Sequence, residues 1–225
     1  MSDSQPPKPK LRWYQFSLRT LLIVTLIAAI GFAWVGYRIQ RVRNQISATA
    51  ELEKLGADIG FYSQVDWNEL PTPDRWLWKC FDDNPVHYIN SSRTPITDTN
   101  LKHLKELTNL RVLKLVDTQV TDNGLEYLKG LTSLQALDLK VLQVTDAGLE
   151  NIKGLTNLQE LWLEGTQVTD TGLEHLKGLR RLFTLSLSGT QVTDTGLEHL
   201  KRLSLHWLDL SHTQVTDAGW SSLRG

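Results

Sequence analysis

Residues 158–179 read Leu158-Gln-Glu-Leu161-Trp162-Leu163-Glu-Gly-Thr166-Gln-Val168-Thr169-Asp170-Thr-Gly172-Leu173-Glu-His175-Leu176-Lys-Gly-Leu179. Leu161 and Leu163 alternate about one residue, the spacing of a short strand with one face turned inward. Leu173, Leu176 and Leu179 are three apart, a helical stripe. Between them stands Val-Thr-Asp-x-Gly, where Thr or Asp can cap the first helical turn. The Thr-Asp pair recurs at Thr97-Asp98, Thr121-Asp122, Thr145-Asp146, Thr169-Asp170, Thr193-Asp194 and Thr216-Asp217, at intervals of 24 residues four times and 23 once. A fixed period in this range predicts a solenoid in which each copy buries its apolar face only against its neighbours.

Matching leucines fall at Leu110, Leu113 and Leu115, at Leu134, Leu137 and Leu139, at Leu182, Leu185 and Leu187, and at Leu205, Leu208 and Leu210. Val86, Ile89 and Ser91 fit a degenerate first strand. The pattern L-x-x-L-x-L-x-x-T-x-V-T-D-x-G-L resembles the leucine-rich-repeat family in its bacterial form. That resemblance implies an α/β solenoid over 86–225, with parallel strands on the concave side and helices on the convex side. Thr94, Thr118, Thr166, Thr190 and Thr213 take the place where many relatives carry Asn, and their hydroxyls are expected to satisfy backbone groups at the corner of each coil. Leu142 interrupts this column, so a bulge or a lost bond is expected there.

The ends are less regular. Residues 57–85, rich in Trp67, Trp76, Trp78, Phe61 and Phe81, are the candidate N-terminal cap. No separate C-terminal cap is expected, leaving Trp207 and Trp220 either to shield that end or to mark a surface for pairing with a second copy.

Residues 20–37 contain no charge. As a helix they extend about 27 Å, close to the hydrocarbon thickness of a bilayer. Aromatic residues and Arg19 and Arg38 bracket the stretch, as in a membrane-spanning helix. A transmembrane helix over 18–37 is therefore expected, following a basic tail over 1–17 and preceding a juxtamembrane helix over 38–56. A cleaved signal sequence is the alternative, but its small-residue site, Ala29-Ile30-Gly31, falls mid-span. Gln15-Phe16-Ser17-Leu18-Arg19-Thr20-Leu21-Leu22 resembles an N-terminal anchor of many bacterial membrane proteins, which implies an envelope protein and no particular activity. Positive charge is nearly balanced across the span. The short tail favours a cytoplasmic N-terminus, with the repeats outside the inner membrane.

The net charge is −1. Basic residues gather before residue 55, and nothing beyond that strip is basic enough to expect nucleic acid. Cys80 is the only cysteine, which rules out an internal disulfide. His103, His175 and His199 share one helical position, and the six aspartates form a column. Both are read as recurring for reasons of fold rather than as metal or acid–base sites. No phosphate loop or hydrolase motif is present, so no enzyme activity and no cofactor is expected.

The variable concave positions carry the functional reading. Alternation turns outward Lys114, Asp138, Glu160, Trp162, Glu164 and Trp207, and aromatic anchors with polar rims are the usual make-up of a binding hot spot. A protein or peptide partner on that face is expected. Self-association through the last repeat is the alternative.

Overall fold

The computed structural model describes residues 18–61 and 86–223. The cap aromatics Trp67, Trp76, Trp78 and Phe81, and Cys80, lie outside the described residues. The chain divides into two units, Met1–Gln40 and Arg41–Gly225.

In the first unit the chain is helical from Leu18, the start of a helix, α1, that runs to Lys54. Its stretch from Thr20 is long and apolar enough to cross a membrane, and no side chain of the apolar window there is buried. The Thr25 hydroxyl donates to the Leu22 carbonyl within the helix (2.9 Å), so this polar group needs no outside partner. The Arg38 guanidinium stands 5.2 Å from the Trp34 ring centroid, an aromatic–cation pair of the kind found at a membrane interface.

The second unit begins with the last turns of α1. Ala48 and Leu52 are buried there, and Leu52 joins the leucine core of the repeats. Arg41 Nη2 donates to Thr108 Oγ1 (3.0 Å), and Gln45 Nε2 to the Glu106 carbonyl (3.4 Å). The helix is ended by Gly56 at φ 93°, a left-handed conformation that glycine adopts without steric cost. Strand β1 (Asp58–Phe61) follows and pairs antiparallel with β2 (Val86–Asn90). The helix end and β1 thus cover the first coil.

Six parallel strands then stack in chain order: β2, β3 (Val112–Lys114), β4 (Ala136–Asp138), β5 (Glu160–Trp162), β6 (Thr184–Ser186) and β7 (Trp207–Asp209). Ile89, Leu113, Leu137, Leu161, Leu185 and Leu208 are in mutual register through the centre of the sheet. Each strand is followed by a short helix beginning at the repeated aspartate, as at Asp146–Ile152 and Asp170–Leu173, commonly continued as a 3-10 turn. The inward leucines of strand and helix close one continuous core along the stack.

The corner column behaves as the hydroxyl chemistry predicts. Thr94, Thr118, Thr166, Thr190 and Thr213 each donate to the carbonyl three residues earlier, at 2.6–2.9 Å. At Leu142 that bond is absent and the side chain enters the core instead. The strand pairing just before it stays regular, through Ala136–Asp138 on Glu160–Trp162 and the Val141 amide on the Glu164 carbonyl (2.8 Å). Just before the corner, one residue per coil adopts a left-handed conformation: Arg93, Asp117, Val141, Gly165, Gly189 and His212. Valine fits this worst, since its branched Cβ crowds the backbone at φ 58°. Val141 is also 60% exposed, so little packing offsets the strain. Val141→Gly is expected to stabilise the protein by about 1 kcal/mol, read as a higher midpoint in thermal unfolding of the full chain in detergent micelles. A lowered midpoint would mean that the valine side chain makes a stabilising contact.

Of the two capping candidates in each repeat, threonine takes the cap and aspartate does not. Threonine is the N-cap: the Thr145, Thr169, Thr193 and Thr216 hydroxyls accept from the amide two residues on, at 3.2–3.3 Å. Aspartate reaches across to the next coil. Asp146 Oδ1 accepts from the Thr169 amide (2.8 Å) and Oδ2 from its hydroxyl (2.6 Å). Asp98, Asp122, Asp170 and Asp194 repeat the arrangement on Thr121, Thr145, Thr193 and Thr216. The column is a row of charge-assisted staples between coils.

Candidate binding face

The parallel register turns the strand sequences into rows. One row carries Tyr88, Val112, Ala136, Glu160, Thr184 and Trp207; the next carries Asn90, Lys114, Asp138, Trp162, Ser186 and Asp209. Residues of both rows alternate with the buried leucines, which places them on the concave side. Lys140 and Glu164, just beyond their strands, extend the face by one more row.

Five of the side chains come together. The Trp162 and Trp207 rings, two strands apart, meet across β6 with centroids 5.2 Å apart and planes inclined at 47°. The small residues Thr184 and Ser186 on the intervening strand leave room for this approach. The Lys140 ammonium stands 4.5 Å from the Trp162 centroid and 3.3 Å from Glu164 Oε2. Ser186 donates to Glu164 Oε1 at 3.0 Å. Ser186, although it alternates with the inward leucines, is fully buried. Alternation gives the direction of a side chain but not what leans over it.

Lys114 stands apart from this group, its ammonium 5.9 Å from the Tyr88 ring. Asp138 lies between the two. Burial pushes its carboxyl above the usual carboxylate range, opposed by the Lys140 amide and by the charges of Lys140 and Lys114. Asp209 is held below that range by the Ser211 hydroxyl and amide. Trp207 is 43% exposed, and Trp162, Glu160 and Glu164 are half-buried. Sequence reasoning passed over Lys140 as a site residue. The available signal was its opposite charge to Glu164 at the same place in the next coil.

On the convex side, Glu126–Lys129, Glu150–Lys153, Glu174–Lys177 and Glu198–Lys201 form a series of ion pairs within their turns. These exposed pairs contribute little to stability individually. Among the described residues no three His, Cys, Asp or Glu side chains are gathered to hold a metal ion.

A family model described as the leucine-rich repeat matches residues 106–129. The solved structures similar to this chain include two internalins from Listeria monocytogenes. Internalin F is 29% identical over 54% of this chain and 35% of its own, with a TM-score of 0.49. Internalin C2 is 28% identical over 61% of this chain and 67% of its own, with a TM-score of 0.46. The chain thus spans about a third of the length of the internalin F chain. No curated protein matches the sequence. A leucine-rich repeat is thus matched at 106–129, and the repeated Thr-Asp period and the in-register parallel strands carry the same pattern through the other coils.

Proposed function

We propose that the protein is a non-enzymatic interaction module of the bacterial envelope, fixed in the inner membrane through residues 18–37 and binding a protein or peptide on its concave face. A leucine-rich-repeat fold suits protein–protein interaction, because a rigid sheet holds variable side chains at fixed spacing. The observation that carries the reading is the Trp162–Trp207 pair, with Trp207 exposed on that face beside charged groups. Aromatic side chains of this kind supply most of the energy of a typical interface. Lys114, Asp138, Glu160 and Glu164 form the polar rim.

A photo-reactive amino acid placed at Ala136 is expected to crosslink a partner of defined mass in cells, while the same group at Lys129 on the convex side gives none. Trp162→Ala should weaken that partner by more than about 1 kcal/mol with an unchanged circular dichroism spectrum. Equal crosslinking at both positions, or undiminished affinity, would refute the concave-face reading. Reporter fusions at Gly225 test the orientation. Activity of an exported reporter supports extracytoplasmic repeats, and activity of a cytoplasmic reporter reverses that placement.

Self-association is the second reading. It is favoured by the last coil, where Leu208, Leu210 and Val215 remain half-buried and Trp220 is exposed. A single sedimenting species at the monomer mass across a wide concentration range would refute it.

A further inference from the structure

Four carboxylates share the face of the tryptophan pair, and they are not equivalent; Asp138, the register partner of Trp162, is engaged by the Lys140 amide. Glu164 is already engaged by Lys140 at 3.3 Å and by the Ser186 hydroxyl. The same ammonium lies against the Trp162 ring. One indole and one carboxylate therefore hold a cation supplied by the chain itself. Glu160 and Asp209 are the other two. In the sheet register Glu160 lies in the row of Trp207, and Asp209 lies two residues along the same strand as Trp207. Asp209 accepts from the Ser211 amide and hydroxyl, and the charge of His212 and the Ser186 hydroxyl act on it more weakly. Among the described residues neither Glu160 nor Asp209 forms an ion pair, and no cation lies over Trp207. The two halves of the patch thus differ: at Trp162 a lysine lies against the ring, while among the described residues no lysine or arginine pairs with Glu160 or Asp209 or stacks on Trp207.

We infer that the Trp207 half is completed by the partner, which presents an arginine whose guanidinium stacks on the indole and pairs with Glu160 and Asp209. This rests on the concave-face reading above and names the partner's chemistry. Arginine is favoured over lysine because its planar, delocalised cation stacks on an aromatic face and gives a forked set of donors to carboxylates. Lysine supplies a compact charge that stays more strongly hydrated.

The test uses the full chain in phosphatidylcholine nanodiscs, whose neutral headgroups do not compete for a basic peptide. The probe is tri-arginine, compared with tri-citrulline of the same shape without charge and with chitotetraose as a glycan. Isothermal titration calorimetry is expected to show tri-arginine binding at least tenfold tighter than tri-citrulline. The variant E160Q/D209N should weaken tri-arginine at least tenfold. The variant E126Q/E150Q, which loses the same charge on the convex side, should change it less than twofold. If D209N proves unstable, E160Q alone is expected to cost at least threefold.

Equal binding of tri-citrulline, equal loss in the convex variant, or binding of chitotetraose alone would each overturn the inference. These failures are separable from failure of the underlying reading. If a partner crosslinks at Ala136 and needs Trp162 but binds E160Q/D209N as tightly as the natural chain, the arginine assignment falls and the concave interface stands.

Discussion

Replacing Gly172 with alanine is expected to destabilise the protein by about 2–4 kcal/mol, and most of that loss should vanish when the Asp146 carboxylate is removed first. Gly172 lies in a short helix with ordinary helical geometry, so on helix propensity alone alanine would stabilise it by about 1 kcal/mol. The neighbouring coil reverses the sign. A Cβ at Gly172 would be built into Asp146 Oδ1 of the preceding coil, and would also crowd Leu149 Cδ1 at 3.2 Å. The carboxylate cannot retreat without giving up its bonds to the Thr169 amide and hydroxyl. Charge-assisted bonds of this kind contribute about 1.5–3 kcal/mol each when partly shielded. Asp146→Ala alone should therefore cost about 2–4 kcal/mol, by leaving Thr169 without its acceptor. In the double variant the methyl group occupies the space that the carboxylate vacated. A double-mutant cycle by urea unfolding of the full chain in micelles is expected to give a coupling of about 1–3 kcal/mol. Strict additivity, or stabilisation by Gly172→Ala alone, would show that the two groups do not compete for the same space.

This pairing also explains a detail of the repeat that a single copy does not. Gly124, Gly148, Gly172, Gly196 and Gly219 each lie against the aspartate of the coil before. The first repeat has Asn100 at that place, and no earlier repeated aspartate presses on it. Asn100 instead accepts from the Thr97 amide through its side chain (2.9 Å), serving the cap locally. Glycine in Thr-Asp-x-Gly is thus required by its neighbour rather than by its own backbone.

The period, the inward leucines and the corner threonines were legible in the sequence because each follows from local geometry repeated at fixed spacing. The bonds of the aspartates were not legible, because their partners stand about one coil away. A bond between residues 146 and 169 leaves no mark in a single helical turn. The exception at Asn100 was the available clue. Strand β1, Asp-Ile-Gly-Phe, is too short to show alternation, and only its pairing with β2 identifies it. On the concave face, alternation selected Trp162, Trp207, Glu160 and Glu164. It did not show that the two indoles meet, because that depends on small side chains at Thr184 and Ser186 in the strand between. Nor did it show Lys140 joining them, since a long side chain reaches beyond its own row.

Leu161→Ala should cost about 3–5 kcal/mol, whereas Leu208→Ala in the last coil should cost about half as much. Both leucines occupy the same register position and lose the same atoms. They differ in what surrounds them. Leu161 is fully buried between Leu137 and Leu185, with a coil on either side. Leu208 is half-buried and has a described strand on one side only. Truncation at the centre leaves a cavity that two packed neighbours must either line or collapse into, and close packing limits the collapse. Truncation in the last coil removes less buried surface and lets water approach. In a stack of this kind stability is a sum of coil terms and interface terms, so the central change weakens two interfaces and the terminal change one. Chemical unfolding of the two variants measures the ratio directly. Equal losses would mean that the last coil is covered as fully as the centre, and the surface proposed for self-association would already be occupied.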